Sequence, residues 1–374
     1  MEILSPEKIR EKFENEIKES EKRREIAFSF KEPDRVPIVI TAGGPYYSWL
    51  FGYDIKDYYE NLEIQIEVQL KAINWRFQYL KDDNTSTSIY LDIGVIQEGL
   101  YFNCPIERPK GTTPWIVPVI ENENDILKLK IPEPEDCQGI KYLEKRFDEF
   151  KKIAKKFGIE INSPGPRLQI HPPLSAACAI MEPTKVYEIM AVDKKLAKIF
   201  FDKMYLAFCK LVDYYDRKYK TKTESIGLAN DNTCFISNKM YVEQVLHYDK
   251  SIYEKYGKKW RSLHTDGPSD HNFKTFADEL KLNYMDIGGW SSIDFACKYM
   301  KGKVIIHGGL NNKDLYNGLD EKVKEKIKQA IKIAAPSGGY VFAIGGETYP
   351  GVAPETLIEL VKYVKVVGKY PVNL

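Results

Sequence analysis

Six cysteines occur in 374 residues, at positions 104, 137, 178, 209, 234 and 297, and none forms a C-x-x-C pair. Such sparse, unpaired usage excludes a disulfide scaffold and points to a reducing compartment. Long apolar runs are missing as well, since no stretch approaches the roughly 20 residues that a membrane span requires. Neither sign of charge dominates. The chain carries 55 basic and 54 acidic residues, a formal net charge of +1, which removes the electrostatic reason to expect nucleic acid or an anionic membrane as partner. The opening MEILSPEKIREKFENEIKESEKRR is charged throughout and lacks the apolar centre of a secretory signal. The expected location is cytoplasmic.

What is present is 43% hydrophobic residues, enough to bury a sizeable core. Ser5-Pro6-Glu7 opens a helix, with Ser as N-cap and Pro at the first helical position. This leader over residues 1–30 has Ile9, Phe13 and Ile17 as a sparse apolar face, and reads as a solvated helix outside the main body. Val36 to Ile40 is a short β-branched run that ends in Thr41-Ala42-Gly43-Gly44-Pro45. Residues 57–80 and 139–157 carry helical patterns, and Ile159–Asn162 reads as another short strand. Between Thr85 and Val119 polar and apolar residues alternate among glycines and prolines, which predicts extended hairpins inserted into the domain.

Five apolar runs in the second half each stop at a polar or glycine cluster. Ser225–Ala229 stops at Asn230-Asp231-Asn232, Trp260–Leu263 at His264-Thr265-Asp266, and Tyr284–Ile287 at Gly288-Gly289-Trp290. Val304–Ile306 stops at His307-Gly308-Gly309, and Tyr340–Ile344 at Gly345-Gly346-Glu347. Helical patterns fill the intervals, so the order predicts parallel βαβ units. With two earlier strands the count approaches eight, and no G-x-G-x-x-G follows the first strand to suggest a dinucleotide-binding open sheet. The expected fold is α/β: one TIM (β/α)₈ barrel domain spanning 1–374, with an N-terminal helical extension and a hairpin-rich insertion at 85–119.

Only strand ends and the loops after them reach the open mouth of a barrel, so the polar clusters are where chemistry is expected. His264 and Asp266 are two apart and point the same way at a strand end. They are either metal ligands or an acid–base pair, or a histidine bonded to a helix-capping aspartate. Glu347 follows two glycines that clear room around it. Asp231 between Asn230 and Asn232 is either a functional carboxylate or the head of an Asx-turn. His307 is either a mouth residue or a packed one. Arg167 and His171 lie after an early strand, on a loop that either faces substrate or packs. Tyr241 is close to the Asp231 loop.

Several segments taken jointly resemble the uroporphyrinogen decarboxylase-like superfamily. They are Asp34-Arg35-Val36-Pro37, Asp231-Asn232 with Met240-Tyr241, Leu263-His264-x-Asp266-Gly267, His307-Gly308-Gly309-Leu310, and Gly346-Glu347. The resemblance implies a TIM barrel. True decarboxylases of that superfamily carry arginines just after the first strand for the substrate's carboxylates; here that place reads Thr41-Ala42-Gly43-Gly44-Pro45-Tyr46-Tyr47. The cobalamin-dependent methyltransferase branch binds zinc through a histidine and two cysteines. This chain keeps His264 but has Asp266 and Glu347 where the cysteines would stand. By that resemblance His264, Asp266 and Glu347 are the metal ligands, with Zn²⁺ as candidate. His264, Asp231 and Tyr241 are the catalytic residues, and Asn230, Asn232, His307, Arg167 and His171 the substrate contacts. Carboxylates make a harder site than thiolates, which turns the expectation from a thiol toward an aryl methyl ether, hence an O-demethylase component. No D-x-H-x-x-G cobalamin signature occurs, so the corrinoid is expected on a separate partner protein. The expected partners are that corrinoid protein and a small methylated substrate, with a homodimer as an admissible assembly.

Overall fold

The computed structural model describes residues 3–373. A two-residue antiparallel ladder between β1 (Ile106–Glu107) and β2 (Trp115–Ile116) forms a sheet of its own. The main sheet runs β3 (Ser225–Ala229), β4 (Trp260–His264), β5 (Tyr284–Asp286), β6 (Ile305–Asn311) and β7 (Tyr340–Gly345), in that order. All four pairings are parallel. Helices return the chain between consecutive strands: Leu246–Tyr256, Phe273–Glu279, Ile293–Met300 and Glu321–Ala334. Pro354–Val367 follows β7. Every residue of β7 is buried, as expected for a parallel strand covered on both faces.

The first expected strand lies beside β7. Val39 N donates to Phe342 O at 3.0 Å and Phe342 N donates to Pro37 O at 2.9 Å, and Ala42 bridges Thr348 in the same direction. Among the described residues no strand pairs with its other edge. Instead Asp83 accepts from Ile38 N at 2.8 Å, and Asp82 accepts from Ile40 N at 2.9 Å. The following segment, 84–93, alternates as the sequence predicts: Thr87, Ile89, Leu91 and Ile93 are buried while Ser86 and Ser88 are exposed. Its partner, however, is a helix. Gln65 on Leu62–Trp75 accepts from Asp92 N at 2.9 Å and donates to Asp92 O at 2.8 Å. Gln69 does the same for Tyr90, at 2.9 and 2.8 Å. Four helical residues rise about 6 Å and two strand residues about 6.6 Å, so the two amides match the two peptide units.

Buried peptide groups must find partners, and here side chains supply them where a ladder is expected. The closed eight-stranded barrel is therefore met in part. The structure has five parallel strands and a sixth position beside β7, and among the described residues no ladder closes the rest. Ile159–Asn162 makes no ladder, and the expected run of hairpins at 85–119 reduces to one short hairpin and the helix Gln97–Tyr101. The physical reason is shared: period-two alternation reports an extended segment with one face buried, not what satisfies its edge.

The leader is two helices, Pro6–Lys12 and Glu14–Phe28. Its sparse apolar face packs: Ile9 and Phe13 join Leu62, Ile66 and Phe150 in a second core. Arg23 is buried and pairs with Asp83 at 2.7 Å, and Arg35 meets the same carboxylate at 2.7 Å. Ser20 donates to it at 2.9 Å. Burial alone would raise the pKa of Asp83, but Arg35, Arg23 and the Ile38 N–H hold it below the ordinary value. Removing one partner of a buried ion pair strands the others, at a cost of about 3–5 kcal/mol. Asp83→Ala is therefore expected to lower the unfolding free energy by about that amount in urea titration; a loss below about 1 kcal/mol would mean that Asp83 does not hold the leader to the first extended segment.

Candidate active site

Register builds the centre of the site. His264 pairs with Asp286, and Asp286 with His307, so the three stand at one level across β4, β5 and β6. Asp286 Oδ2 lies 3.1 Å from His264 Nδ1 and 3.4 Å from His307 Nδ1. Burial disfavours its charge, yet His307 and His264 overcome this and hold its pKa well below the usual carboxylate range. Asp286 is the residue that sequence reasoning misses. It sits inside the apolar run Tyr284–Ile287, and a lone acid within such a run is the signal that was available.

With Nδ1 fixed by Asp286, His264 turns Nε2 toward Asp266 Oδ1 at 3.4 Å and Asp231 Oδ1 at 3.8 Å. Asp231 Oδ1 also accepts from Asp266 N at 2.7 Å, which ties the loops after β3 and β4 together. Ligand atoms of Asp231, His264 and Asp266 all lie within 4.8 Å of one another. Burial would lower the pKa of His264, but its hydrogen bonds to Asp266 and Asp286, and their charges, push it up to about 11. The pKa of Asp231 is raised above that of an ordinary carboxyl: burial raises it, the His264 charge and the Asp266 N–H oppose, and the Asp266 carboxylate adds to the rise.

Glu347, expected as the third metal ligand, is outside this trio, and Asp231 occupies that place. Glu347 is open to the solvent of the mouth although protein surrounds it on most sides. Burial and the charges of Asp92 and Asp266 raise its pKa, with His264 opposing. A Cβ on Gly43 would fall 2.4 Å from Glu347 Oε2, and one on Gly346 would fall 2.6 Å from Asp266 Oδ1. The missing side chains at these two positions are thus what let both carboxylates in.

Arg167 is exposed, with its guanidinium 4.4 Å from the centre of the Tyr90 ring. Its charge acts on Asp92, a buried acid that accepts from Tyr58 OH at 3.0 Å. His171 Nδ1 lies 2.8 Å from Glu98 Oε1, and its charge couples to Asp231 and His264. Asn232 accepts from Tyr187 OH at 2.7 Å and donates to Ser175 at 3.2 Å. These polar atoms are engaged by the protein itself.

Two residues expected as substrate contacts, Asn230 and His307, and one expected as catalytic, Tyr241, are buried instead. Asn230 is 1% exposed, accepts from Ser175 at 3.0 Å and donates to Asp249 at 2.9 Å. Tyr241 is fully buried, with its hydroxyl donating to Asp249 at 2.9 Å and Phe276 edge-on to its ring. His307 is 3% exposed behind Asp286. None of the three faces the mouth. Asn230 follows β3, Tyr241 lies on the helix Asn238–Gln244 and His307 lies within β6, and all three side chains turn inward, where they hold the wall. Asp249, buried and pushed up to about 7 by that burial, is held by Tyr241 and Asn230.

A histidine fixed at one nitrogen by a carboxylate and flanked at the other by two more has two uses. It can donate a proton, or give it up and join the carboxylates in an N/O donor set suited to a borderline or hard divalent cation. Metal binding at Nε2 must then release a proton. Because the folded-state pKa of His264 is raised above 6.5, the cluster's contribution to the stability of the metal-free protein is complete below about that pH. It is lost as pH rises through about 11. Asp286→Asn removes one of the two groups responsible, and the NMR titration midpoint of His264 is expected to fall from about 11 toward the ordinary value. An unchanged midpoint would show that Asp286 does not govern this imidazole.

The profile of the family described as uroporphyrinogen decarboxylase (URO-D) matches residues 20–367. No curated protein sequence matches the chain. Among solved structures, a methyltransferase from Methanosarcina mazei superposes with a TM-score of 0.64 at 15% sequence identity, over 91% of this chain and 96% of that one. At this identity the likeness establishes the fold. The family match spans nearly the whole chain and includes every strand of the main sheet and all three members of the acid–histidine cluster: the chain belongs to the uroporphyrinogen decarboxylase family.

Proposed function

We propose that this protein is a methyltransferase on a (β/α)₈ barrel. It takes a methyl group from a small donor, an aryl methyl ether, and passes it to the cobalt of a corrinoid carried by a separate protein. The observation that carries this reading is the Asp231–His264–Asp266 cluster at the ends of two adjacent strands. The similarity in fold to a methyltransferase supports the class of reaction. Carboxylate donors in place of thiolates favour an oxygen over a sulfur ligand. Beside Gly43 a recess of about 180 Å³ is bordered by Tyr47, Tyr58 and Tyr90, which suits the face and edge of an aromatic ring.

The donor set fits a divalent metal such as Zn²⁺, which when bound at Asp231, His264 and Asp266 supplies Lewis acidity to an oxygen. The chain's own residues do the rest. Asp286 keeps Nε2 of His264 aimed at the mouth. Asp231 fixes the backbone of Asp266, so the two carboxylates keep their spacing. Glu347 and Arg167 border the space beside the recess.

Decarboxylation of a polycarboxylate fits poorly. Such a substrate needs cations, and Arg23, Arg35 and Arg76 are taken by Asp83, Asp34 and Asp82. Asp231, Asp266 and Glu347 make the mouth acidic. A non-catalytic docking role leaves that acidic cluster without a purpose.

The test is one incubation of enzyme, reduced corrinoid protein and a panel of methyl ethers, amines and thioethers, followed by cobalt absorbance. An aryl methyl ether is expected to give the change; no change with any donor would overturn the proposal. His264→Ala is expected to slow that transfer by about 10²–10⁴-fold with unaltered circular dichroism, and retained activity would return His264 to a structural role. Metal analysis of the purified protein is expected to find about one equivalent, and less than about one-tenth would remove the metal from the reading.

A further inference from the structure

Among the described residues a second acid–histidine pair, Glu98 with His171, stands near the central cluster. Glu98 is fully buried on the helix Gln97–Tyr101. Its Oε1 accepts from the backbone N–H of His171 and meets His171 Nδ1 at 2.8 Å. Its Oε2 has no partner among the described residues. The whole of this buried charge is therefore answered by one residue, and a buried carboxylate without a cation is costly.

The position of His171 is fixed from two sides. Glu98 holds the ring at Nδ1. Two residues later the helix Pro173–Ile180 begins, and its Ser175 bonds both Asn230 and Asn232, the neighbours of Asp231. The loop that carries His171 is thereby pinned against the loop that carries Asp231. The imidazole is 19% exposed, and its charge interacts with Asp231 and His264, beside which it therefore stands. Nε2 has no hydrogen-bond partner among the described residues. His171 does not belong to the Asp231–His264–Asp266 trio, so a metal held there leaves it free. Burial works against its charge, but Glu98 outweighs this and favours the imidazolium.

We infer that His171, oriented by Glu98, is the proton donor to the oxygen that parts from the methyl group. This rests on the ether-cleaving reading above. The electron pair of the cobalt(I) acceptor forms the new bond to the methyl carbon. The carbon–oxygen pair stays on oxygen, and the proton on Nε2 of His171 neutralises it, so that a phenol leaves. Water then restores the proton to His171. Without the donor the departing group is a bare phenolate in an acidic mouth, where Asp231, Asp266 and Glu347 oppose a further negative charge.

The step makes a demand that a structural role does not: the need for a proton depends on how basic the leaving oxygen is. The experiment compares wild type, His171→Gln and the isosteric Glu98→Gln on two methyl ethers, one of an ordinary phenol and one of a strongly acidic nitrophenol, read as single-turnover rates by cobalt absorbance. His171→Gln is expected to slow the ordinary ether by about 10²–10³-fold and the nitrophenyl ether by less than about 10-fold. Glu98→Gln is expected to show the same selectivity at smaller size. Equal losses on both ethers, or none on either, would overturn the inference while leaving ether cleavage intact. If wild type cleaves neither ether, the parent reading fails and the inference falls with it.

Discussion

One buried carboxylate organises the centre of this protein. Asp286 stands between two imidazoles because three parallel strands are in register at His264, Asp286 and His307. A shift of one residue in β5 would turn its side chain to the other face of the sheet. His264 would lose the contact that fixes its ring, and the aim of Nε2 at Asp231 and Asp266 would go with it. The apolar packing of Met285, Ile306 and Phe342, all buried, thus does chemical work at one remove: it locks the register that places the acid.

Around this centre the polar residues divide into two layers. Asp231, Asp266, Glu347, His171 and Arg167 face solvent or line the mouth. Asn230, Tyr241, Asp249 and His307 lie behind them: Asn230 and Tyr241 both donate to Asp249, and His307 stands 3.4 Å from Asp286. The inner layer explains how a loop as short as 230–232 can hold a carboxylate still. Both asparagines are tied to Ser175, and one of them to Asp249. Asp231 is left as the residue of the three that turns outward.

The pattern of short apolar runs was enough to locate β3 to β7, and their ends, because alternation of strand and helix is local information. It also singled out Asp231, His264, Asp266 and Glu347. The trio drew in Asp231 because β3 adjoins β4 and the Asp231 carboxylate accepts from the Asp266 N–H, a contact that no spacing in the sequence announces. Asp286 and Glu98 stayed hidden for a different reason. One acid in a strand of hydrophobes and one in a short helix look like surface residues until the fold buries them. The bonds from Asp82 and Asp83 to the first extended segment, and from Gln65 and Gln69 to the second, have no signature in periodicity at all, since an aspartate or glutamine that caps a peptide group reads like any polar residue.

Those four side chains form a seam in the wall beside the mouth. A strand ladder is an all-or-none register in which each pair constrains the next. A seam of separate carboxylates and amides is not, because each side chain makes its bonds without setting the register of the next. Asp83, clamped by Arg23 and Arg35, and Asp82, clamped by Arg76, fix this part of the wall through ion pairs in place of a ladder. The tyrosine-lined recess lies along that seam, bordered by Asn84, Ser86 and Tyr90 on one side and by Gly43 and Tyr47 on the other. The aromatic recess is thus built against ion-paired and amide-bonded side chains, and the acid–histidine cluster against a strand ladder.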